Sequence, residues 1–549
     1  MNKFLKLLLV ILVFAMVAGL SYLGATNTAD FGLYRSPLHA NPPQPGAALG
    51  KPAARQVVFV LIDALRVDTA ANADWMPTLN KLKVQGASAT IHSKFPSYSE
   101  PGYSVLQTGA WPELSDGPAF NMDYATIPTW TQDNVFSAAH RAGLKTAVSG
   151  YYWFEKLIPQ TDVDASFYTP GEDNMADRQV INAALPWVKS GTYNYILIHI
   201  DQVDYAGHHE GGPQSPNWAA AASRSDAMLA EIVGAMDLSQ DTIVIASDHG
   251  QINPGGHGGQ DAIVLVEPFV MAGAAVKPGA IGDVQQTDIA PTFAALLGAN
   301  LPASAQGRVL TEALNLPTKT LAALPAATAA QQTGLLKAYA TAIGVAIPVD
   351  KMPTGSDIAP YQQELLTLRA AKLNPERLPR ALLALMLAAI PLYFIIRGFN
   401  RKRMWWLVSA GVYVLLFNLK YALVDGKTYT FSSVGGSMDL IVRVGLATAI
   451  ALGLAWLLSA WRTGLFRLKP LAAVEESFAQ CLIVLYVLAL PVLVGFTLNT
   501  LSMTTWHLAE PVSNFLTLLA FGQGIFVGVV ALLLAGLAAL IAALKPQKT

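Results

Sequence analysis

Apolar positions fall into three regimes along the 549-residue chain. From Arg55 onward, the runs QVVFVLID (56–63), KTAVSGYYWF (145–154), YNYILIHID (193–201), TIVIASDHG (242–250) and AIVLVEPFVMAG (262–273) are apolar and β-rich with little alternation. Strands buried on both faces have this pattern. Between them lie stretches with helical spacing, around 72–85, 131–142, 176–189 and 218–236. Strands alternating with helices predict an α/β unit whose mostly parallel sheet is sandwiched by helices. The second regime is a set of long, nearly uncharged runs at roughly 380–396, 404–423, 439–461, 477–498 and 514–544, each long enough to cross a bilayer. The third is the N-terminus, where Lys3 and Lys6 precede an apolar run from Leu7 to Leu23 and then small residues. That pattern predicts a signal peptide or a signal-anchor helix over 1–26, and export of the domain behind it.

Charge orients the chain. Arg397, Arg401, Lys402 and Arg403 lie between the first two spans, Arg462, Arg467 and Lys469 between the third and fourth, and Lys545 and Lys548 close the chain. With Lys3 and Lys6, these clusters share one side if residues from about 27 to 378 occupy the other. The expectation is a multi-pass protein of the plasma (cytoplasmic) membrane with its catalytic domain on the extracytoplasmic side. Residues 27–315 form that domain, 316–378 a helical linker, and 379–549 a membrane domain of about five helices. A net charge of −1 supplies no basic stripe for nucleic acid. The single cysteine, Cys481, excludes internal disulfides and a thiolate metal site.

Chemistry in parallel sheets collects beyond the carboxyl ends of strands. Three of the predicted strands end in aspartate: Asp63 closes LID, Asp201 precedes QVD with Asp204, and Asp248 stands beside His249 in SDHG. Asp204 and His208 share the stretch DYAGH, and His257 sits in GGHGG. Three histidines and three acids form a suitable inventory for two divalent ions, with zinc favoured by the His/Asp mixture and manganese the other candidate. A serine-rich turn, FPSYSEPGYSVLQTG (95–109), supplies three candidate hydroxyls: Ser97, Ser99 and Ser104. Ser99 stands where Pro101 and Gly102 turn the chain into a helix, so its oxygen lies near backbone N–H groups that favour negative charge.

In combination, LIDALR (61–66), PSYSEPGY with LQTG, DYAGH, SDHG with GGHGG, and QTDIAPTFAALLG (286–298) resemble the alkaline phosphatase superfamily over about residues 55–312. The branch is that of type I phosphodiesterases and nucleotide pyrophosphatases, similar to the membrane-bound GPI ethanolamine-phosphate transferases. The resemblance implies an alkaline-phosphatase-like sheet between helices, here joined to an α-helical transmembrane bundle. It places the nucleophile on Ser99. It also implies one ion held by Asp63, Asp248, His249 and the Ser99 oxygen, and a second held by Asp204, His208 and His257. Asn121, in AFNMDY, falls where this branch keeps an asparagine on the substrate phosphate, and the backbone N–H of Glu100 is a second candidate phosphate donor. Tyr103 stands where sulfatases of the superfamily carry arginine, which argues against sulfatase chemistry. The absence of an arginine close after Ser99 favours diesters over doubly charged monoesters. The expected activity is a two-metal phosphodiesterase or phosphotransferase working through a phospho-Ser99 intermediate. The alternative is an ethanolamine-phosphate-type transferase that moves a phospho-headgroup from lipid to a glycan or lipid acceptor. The expected partners are a phosphodiester, lipid-linked in the second case, and membrane lipids.

Overall fold

The computed structural model describes residues 31–500 and 506–544, with Gly19, Tyr22, Leu23 and Thr26 ahead of them. Those four positions aside, the export segment expected over 1–26 lies outside the described residues. Residues Tyr34–Leu373 and Phe431–Ser433 form one compact unit. The described residues of Met1–Leu33, Asn374–Thr430 and Val434–Thr549 form the other.

The first unit is built on an eight-stranded sheet. Its strands are β1 (Val57–Ile62), β2 (Ala87–His92), β3 (Thr146–Tyr151), β4 (Ala165–Thr169), β5 (Tyr195–Ile200), β6 (Thr242–Ala246), β7 (Val266–Gly273) and β8 (Gly279–Gln285), in the order β4-β3-β5-β1-β6-β7-β2-β8. Only β7 runs against its neighbours, pairing antiparallel with both β6 and β2. The sheet is therefore mostly parallel, as the strand–helix alternation predicts. Each of the five apolar runs contains a strand, although the last begins at Val266 and the YYWF run leaves the sheet after Tyr151 for a short helix at Trp153–Leu157. The hydrophobic pattern misses β2, β4 and β8, whose sequences ASATIH, ASFYT and GAIGDVQ mix polar residues and glycine into partly exposed strands.

Helices cover both faces. α1 (Pro77–Gln85), α2 (Ser99–Thr108), α3 (Val135–Arg141), α4 (Asn174–Ser190), α5 (Gln202–His209), α6 (Pro216–Gly234) and α7 (Ile289–Leu297) all belong to this unit. The central strands alternate strictly between two cores. Val57, Phe59, Leu61, Tyr195, Leu197 and Val244 pack with Leu106, Phe136, Ile289 and Phe293 from α2, α3 and α7. Val58, Val60, Ile62, Ile196, Ile198 and Ile245 pack with Leu79, Val180, Trp218 and Leu229 from α1, α4 and α6. Because both faces are dry, the strands read as continuous apolar runs.

The remaining helices are α8 (Thr318–Ile343), α9 (Ala359–Arg397), α10 (Arg401–Asn418), α11 (Ser437–Thr463), α12 (Pro470–Asn499) and α13 (Pro511–Ala543). The five expected spans coincide with helices long and apolar enough to cross a membrane, the last to within one residue: Ala359–Arg397, Arg401–Val424, Met438–Thr463, Pro470–Asn499 and Pro511–Ala543. α9 is continuous through Pro375 and Pro379, so the change in composition at 379 coincides with no break in the backbone. Among these helices, Glu476 is buried, accepts from the Trp406 indole and pairs with Lys402. Arg443 lies two turns into α11, where its Nε donates to Asp439 across 2.5 Å, and Lys427 pairs with the same carboxylate at 3.2 Å. This charge is neutralised near a helix end, as expected of a residue that reaches towards an interface.

Candidate active site

The strand order brings the predicted residues together. β5, β1 and β6 are consecutive neighbours and run parallel, with Val57 in register with both Tyr195 and Thr242. Asp63 directly follows β1, Asp201 directly follows β5, and Asp248 lies two residues beyond β6. Three carboxylates thus emerge side by side at one sheet edge. α5 starts at once after Asp201 and carries Asp204 and His208 four residues apart, on one helix face. Its first turn is anchored by buried Asp177 of α4, whose carboxylate accepts from the N–H groups of Asp201 (2.9 Å) and Gln202 (3.1 Å).

α2 opens at Ser99, after Tyr98 in extended conformation. Pro101 falls within the first turn, where N–H groups have no helical partner, so its missing donor costs nothing. Gly102 packs directly on Asp248: a Cβ there would stand 2.8 Å from the Asp248 Cβ and 3.1 Å from its carbonyl oxygen. Gly102→Ala is therefore expected to push the first turn, and Ser99 with it, away from the carboxylates. A displacement of this kind costs about 100-fold in kcat/KM. A variant with unchanged melting temperature and unchanged rate would contradict this placement.

Among the described residues, two of the three groups whose ligand atoms lie within 4.8 Å of one another share Asp204: Asp204, His208 and His257, and Asp63, Asp204 and His249. In the first, the Nε2 atoms of His208 and His257 face each other at 2.9 Å, with Asp204 oxygens 3.5 Å from His208 and 3.7 Å from His257. In the second, His249 Nε2 lies 3.1 Å from Ser99 Oγ, 3.5 Å from Asp63 and 3.4 Å from Asp248. Sharing Asp204 places the two groups next to each other.

The tautomers follow from the partners. His257 Nδ1 is 3.1 Å from the Ser97 carbonyl and His249 Nδ1 is 3.1 Å from the Gly250 carbonyl. A carbonyl only accepts, so each Nδ1 donates its hydrogen and each Nε2 turns a lone pair into the site. Metal-binding histidines are commonly held this way. The His257 Nε2 lone pair faces His208 Nε2 at 2.9 Å, where it can accept an N–H of His208 or, with the other His208 tautomer, share a cation with it. Asp63 Oδ1 and Asp248 Oδ2 are buried without a hydrogen-bond partner. Burial, then the neighbouring Asp248, pushes the Asp63 carboxyl up to about 6. Burial above all drives Asp248 well above the usual carboxylate range. Asp204 is the exception: burial raises it, but His208, His257 and His249 outweigh that and hold it below its ordinary value. Such a crowd of acids and imidazoles is the donor set of a divalent centre, and the residues fit one.

Asn121 sits beside the serine. Its Oδ1 accepts from the Glu100 N–H at 3.1 Å, which turns Nδ2 towards Ser99 Oγ at 3.4 Å. The Glu100 N–H, expected as a phosphate donor, is therefore engaged in orienting Asn121. The Glu100 side chain is buried, accepts from the Met122 N–H, and has its carboxyl pushed up to about 8 by burial. Burial thus favours its protonated form, which repels an anionic substrate less than a carboxylate would. Ser97 donates to the Gly259 carbonyl and accepts from the Gly258 N–H, and Ser104 donates to the Glu100 carbonyl. Both are structural hydroxyls, and Ser99 alone of the three faces the histidines and carboxylates.

Tyr103, noted in the sequence only as the residue that stands where sulfatases carry arginine, and His199, not singled out there, also line the site. Tyr103 lies one turn after Ser99 and donates its hydroxyl to Asp63 Oδ2, with His199 Nε2 3.0 Å from that hydroxyl and 3.1 Å from the carboxylate. Asp63, His199 and Asp201 also bring ligand atoms within 4.8 Å of one another. The available signal was the i, i+4 spacing from Ser99 and the alternation of β5, which puts His199 on the face of Leu197. Gln251 was missed as well: its Nε2 donates to Asp204 Oδ1 at 2.6 Å while its Oε1 accepts from the Gly256 N–H at 3.0 Å.

Several known proteins resemble parts of this chain. The human GPI ethanolamine phosphate transferase 2 catalytic subunit is 28% identical over 300 residues, covering 49% of this chain and 30% of that protein. The human GPI ethanolamine phosphate transferase 3 catalytic subunit is 28% identical over 347 residues, covering 55% and 31%. The chain thus spans about a third of the length of these relatives. Among solved structures, human ectonucleotide pyrophosphatase / phosphodiesterase 5 matches with a TM-score of 0.36 and 16% identity, covering 44% of this chain and 95% of that one. Residues 57–254 match the family model of type I phosphodiesterase / nucleotide pyrophosphatase, a span that holds Asp63, Ser99, Asn121, Asp204, His208, Asp248 and His249.

Proposed function

We propose that this protein is a metal-dependent enzyme that cleaves phosphodiesters through a covalent phospho-Ser99 intermediate and passes the phosphoryl group to an acceptor. The observation that carries this reading is the meeting of Ser99 Oγ with two adjacent clusters of imidazoles and carboxylates beyond β5, β1 and β6. Asp63, Asp248, His249 and Ser99 would hold one divalent ion, and Asp204, His208 and His257 the other, with zinc the preferred metal. Bound ions would supply Lewis acidity, which makes a serine hydroxyl nucleophilic near neutral pH and offsets charge on the phosphoryl oxygens.

The chain's own residues do the rest. The first turn of α2 aims Ser99 Oγ into the site. The bond from Ser99 Oγ to phosphorus forms as the bond to the leaving oxygen breaks, the Ser99 hydroxyl proton is lost to solvent, and the leaving group departs from the opposite side and takes up a proton from solvent. Asn121 Nδ2, fixed by the Glu100 N–H, is placed to hold a phosphoryl oxygen. In the second half, an acceptor oxygen attacks phosphorus and releases Ser99. The absence of an arginine close after Ser99 in the sequence suits a singly charged diester.

The acceptor is the remaining question. The likeness to proteins named as GPI ethanolamine phosphate transferases, together with five helices able to cross a membrane, supports transfer of a phospho-headgroup from a lipid to a glycan or lipid hydroxyl. On this reading residues 27–315 work on the extracytoplasmic side of the plasma membrane, and the basic loops remain in the cytoplasm. The test is the full chain in detergent with zinc, given a chromogenic aryl phosphodiester, its monoester, and a phosphoethanolamine lipid with labelled headgroup. Diester turnover well above monoester turnover, lost on chelation and restored by zinc, is the expected result. Headgroup labelling of an added acceptor would assign transfer. A folded, metal-loaded chain inert towards all three substrates would overturn the proposal.

A further inference from the structure

The loop that carries His257 is held by a residue far along the chain. Phe431–Ser433 belong to the same compact unit as residues 34–373, although in sequence they lie between α10 and α11. All three are buried, Ser432 completely. Ser432 Oγ accepts from the Gly259 N–H at 3.0 Å. Its backbone is close enough that a Cβ on Gly256 would stand 2.3 Å from the Ser432 carbonyl oxygen, and a Cβ on Gly259 2.8 Å from the Ser432 nitrogen. These two glycines flank His257 in GGHGG, so the loop lacks side chains at the positions where Ser432 approaches. Phe431 packs on Phe95 with ring centroids 5.6 Å apart, next to the turn that leads to Ser99. From the catalytic segment, Ser97 bonds to Gly258 and Gly259, and Tyr98 sets its ring edge-on to His257.

We propose that Ser432 is a positioning residue for His257, and that Phe431–Ser433 complete the half-site formed by Asp204, His208 and His257. The inference rests on the metal-centre reading above. The Ser97 carbonyl orients the imidazole through Nδ1, while Ser432 fixes the peptide on the far side of it. Without the hydroxyl, the buried Gly259 N–H loses its acceptor and the loop can relax away from His208. Groups bonded directly to a metal-binding imidazole typically alter metal affinity by about 10- to 100-fold, and Ser432, acting one step further out through the Gly259 peptide, is expected at the lower end.

The experiment compares the full-length wild type with Ser432→Ala in detergent, titrating zinc against a chromophoric chelator and recording melting temperature with and without metal. The wild type is expected to hold two ions. Ser432→Ala should release one of them about tenfold more readily, keep the other, and melt within a few degrees of the wild type in the metal-free state, the effect of one unpaired buried N–H. Activity should need correspondingly more zinc for half saturation, and Ser432→Thr, which retains the acceptor oxygen, should restore wild-type affinity. If Ser432→Ala does not accumulate, Ser432→Cys, similar in size but a weak acceptor, should give the same loss. Two ions held as tightly in the variant as in the wild type would overturn this inference and leave the metal centre standing. A folded wild type that takes up no zinc would overturn the metal-centre reading, and this inference with it.

Discussion

Ser99→Ala is expected to abolish phosphodiester turnover, with kcat falling by at least about 10³-fold and up to about 10⁶-fold, the range seen when a hydroxyl nucleophile is removed from a preorganised site. The variant should fold normally, because Ser99 gives α2 no side-chain cap and its hydroxyl faces His249 and Asn121 rather than the core. It should also retain most of its metal, since Asp63, Asp248 and His249 remain. The check is steady-state turnover of the aryl diester by the full chain, alongside metal content by mass spectrometry. Quenched wild-type reactions should contain phosphate label on the peptide spanning Ser99, and the variant should contain none. More than about a tenth of wild-type activity in the variant would rule out Ser99 as nucleophile, and Ser97 and Ser104 are too firmly engaged in backbone hydrogen bonds to replace it.

Asp204→Ala should come next in size. Asp204 is the carboxylate common to both ligand groups, and it is kept ionised by His208, His257 and His249 against the effect of burial. Removing it leaves His208 and His257 facing each other with no neighbouring anion. Bound metal should fall from two ions to one, and turnover by about 10³-fold, matching the several kcal/mol that a metal ion supplies to a charged transition state. The measurement is zinc stoichiometry with turnover across a zinc titration. Two ions at wild-type affinity, with a rate within about tenfold of wild type, would show that Asp204 is not a ligand.

Much of this site was legible in the linear sequence because its residues occupy strand ends. A strand dry on both faces must be apolar along its length, so a charged residue closing it marks the sheet edge. Asp63, Asp201 and Asp248 were visible on that ground alone. Asp204 and His208 stood out in DYAGH just beyond the strand that ends in Asp201, and Ser99 by the proline and glycine that turn the chain into α2. The polar strands β2, β4 and β8 carried no such mark, because partial exposure removes the demand for continuous apolarity. The Glu100 N–H was misassigned: an N–H near a helix start is a free donor only if no side chain claims it, and Asn121 lies 21 residues away.

By itself, the sequence determined the class of the protein: an α/β unit with aspartate and histidine residues at strand ends, a serine at a helix start, and a tail of apolar spans. These are consequences of local rules, namely burial periodicity, turn chemistry and charge exclusion, which act over a few residues and leave a readable trace. Tertiary structure decided which groups face each other. The order β5-β1-β6 set the three carboxylates side by side, Tyr103 and His199 met on Asp63, Asp177 reached the start of α5, and Ser432 closed on the His257 loop. Contacts across tens to hundreds of residues depend on packing of the whole unit, and packing leaves no periodic signal in any one segment.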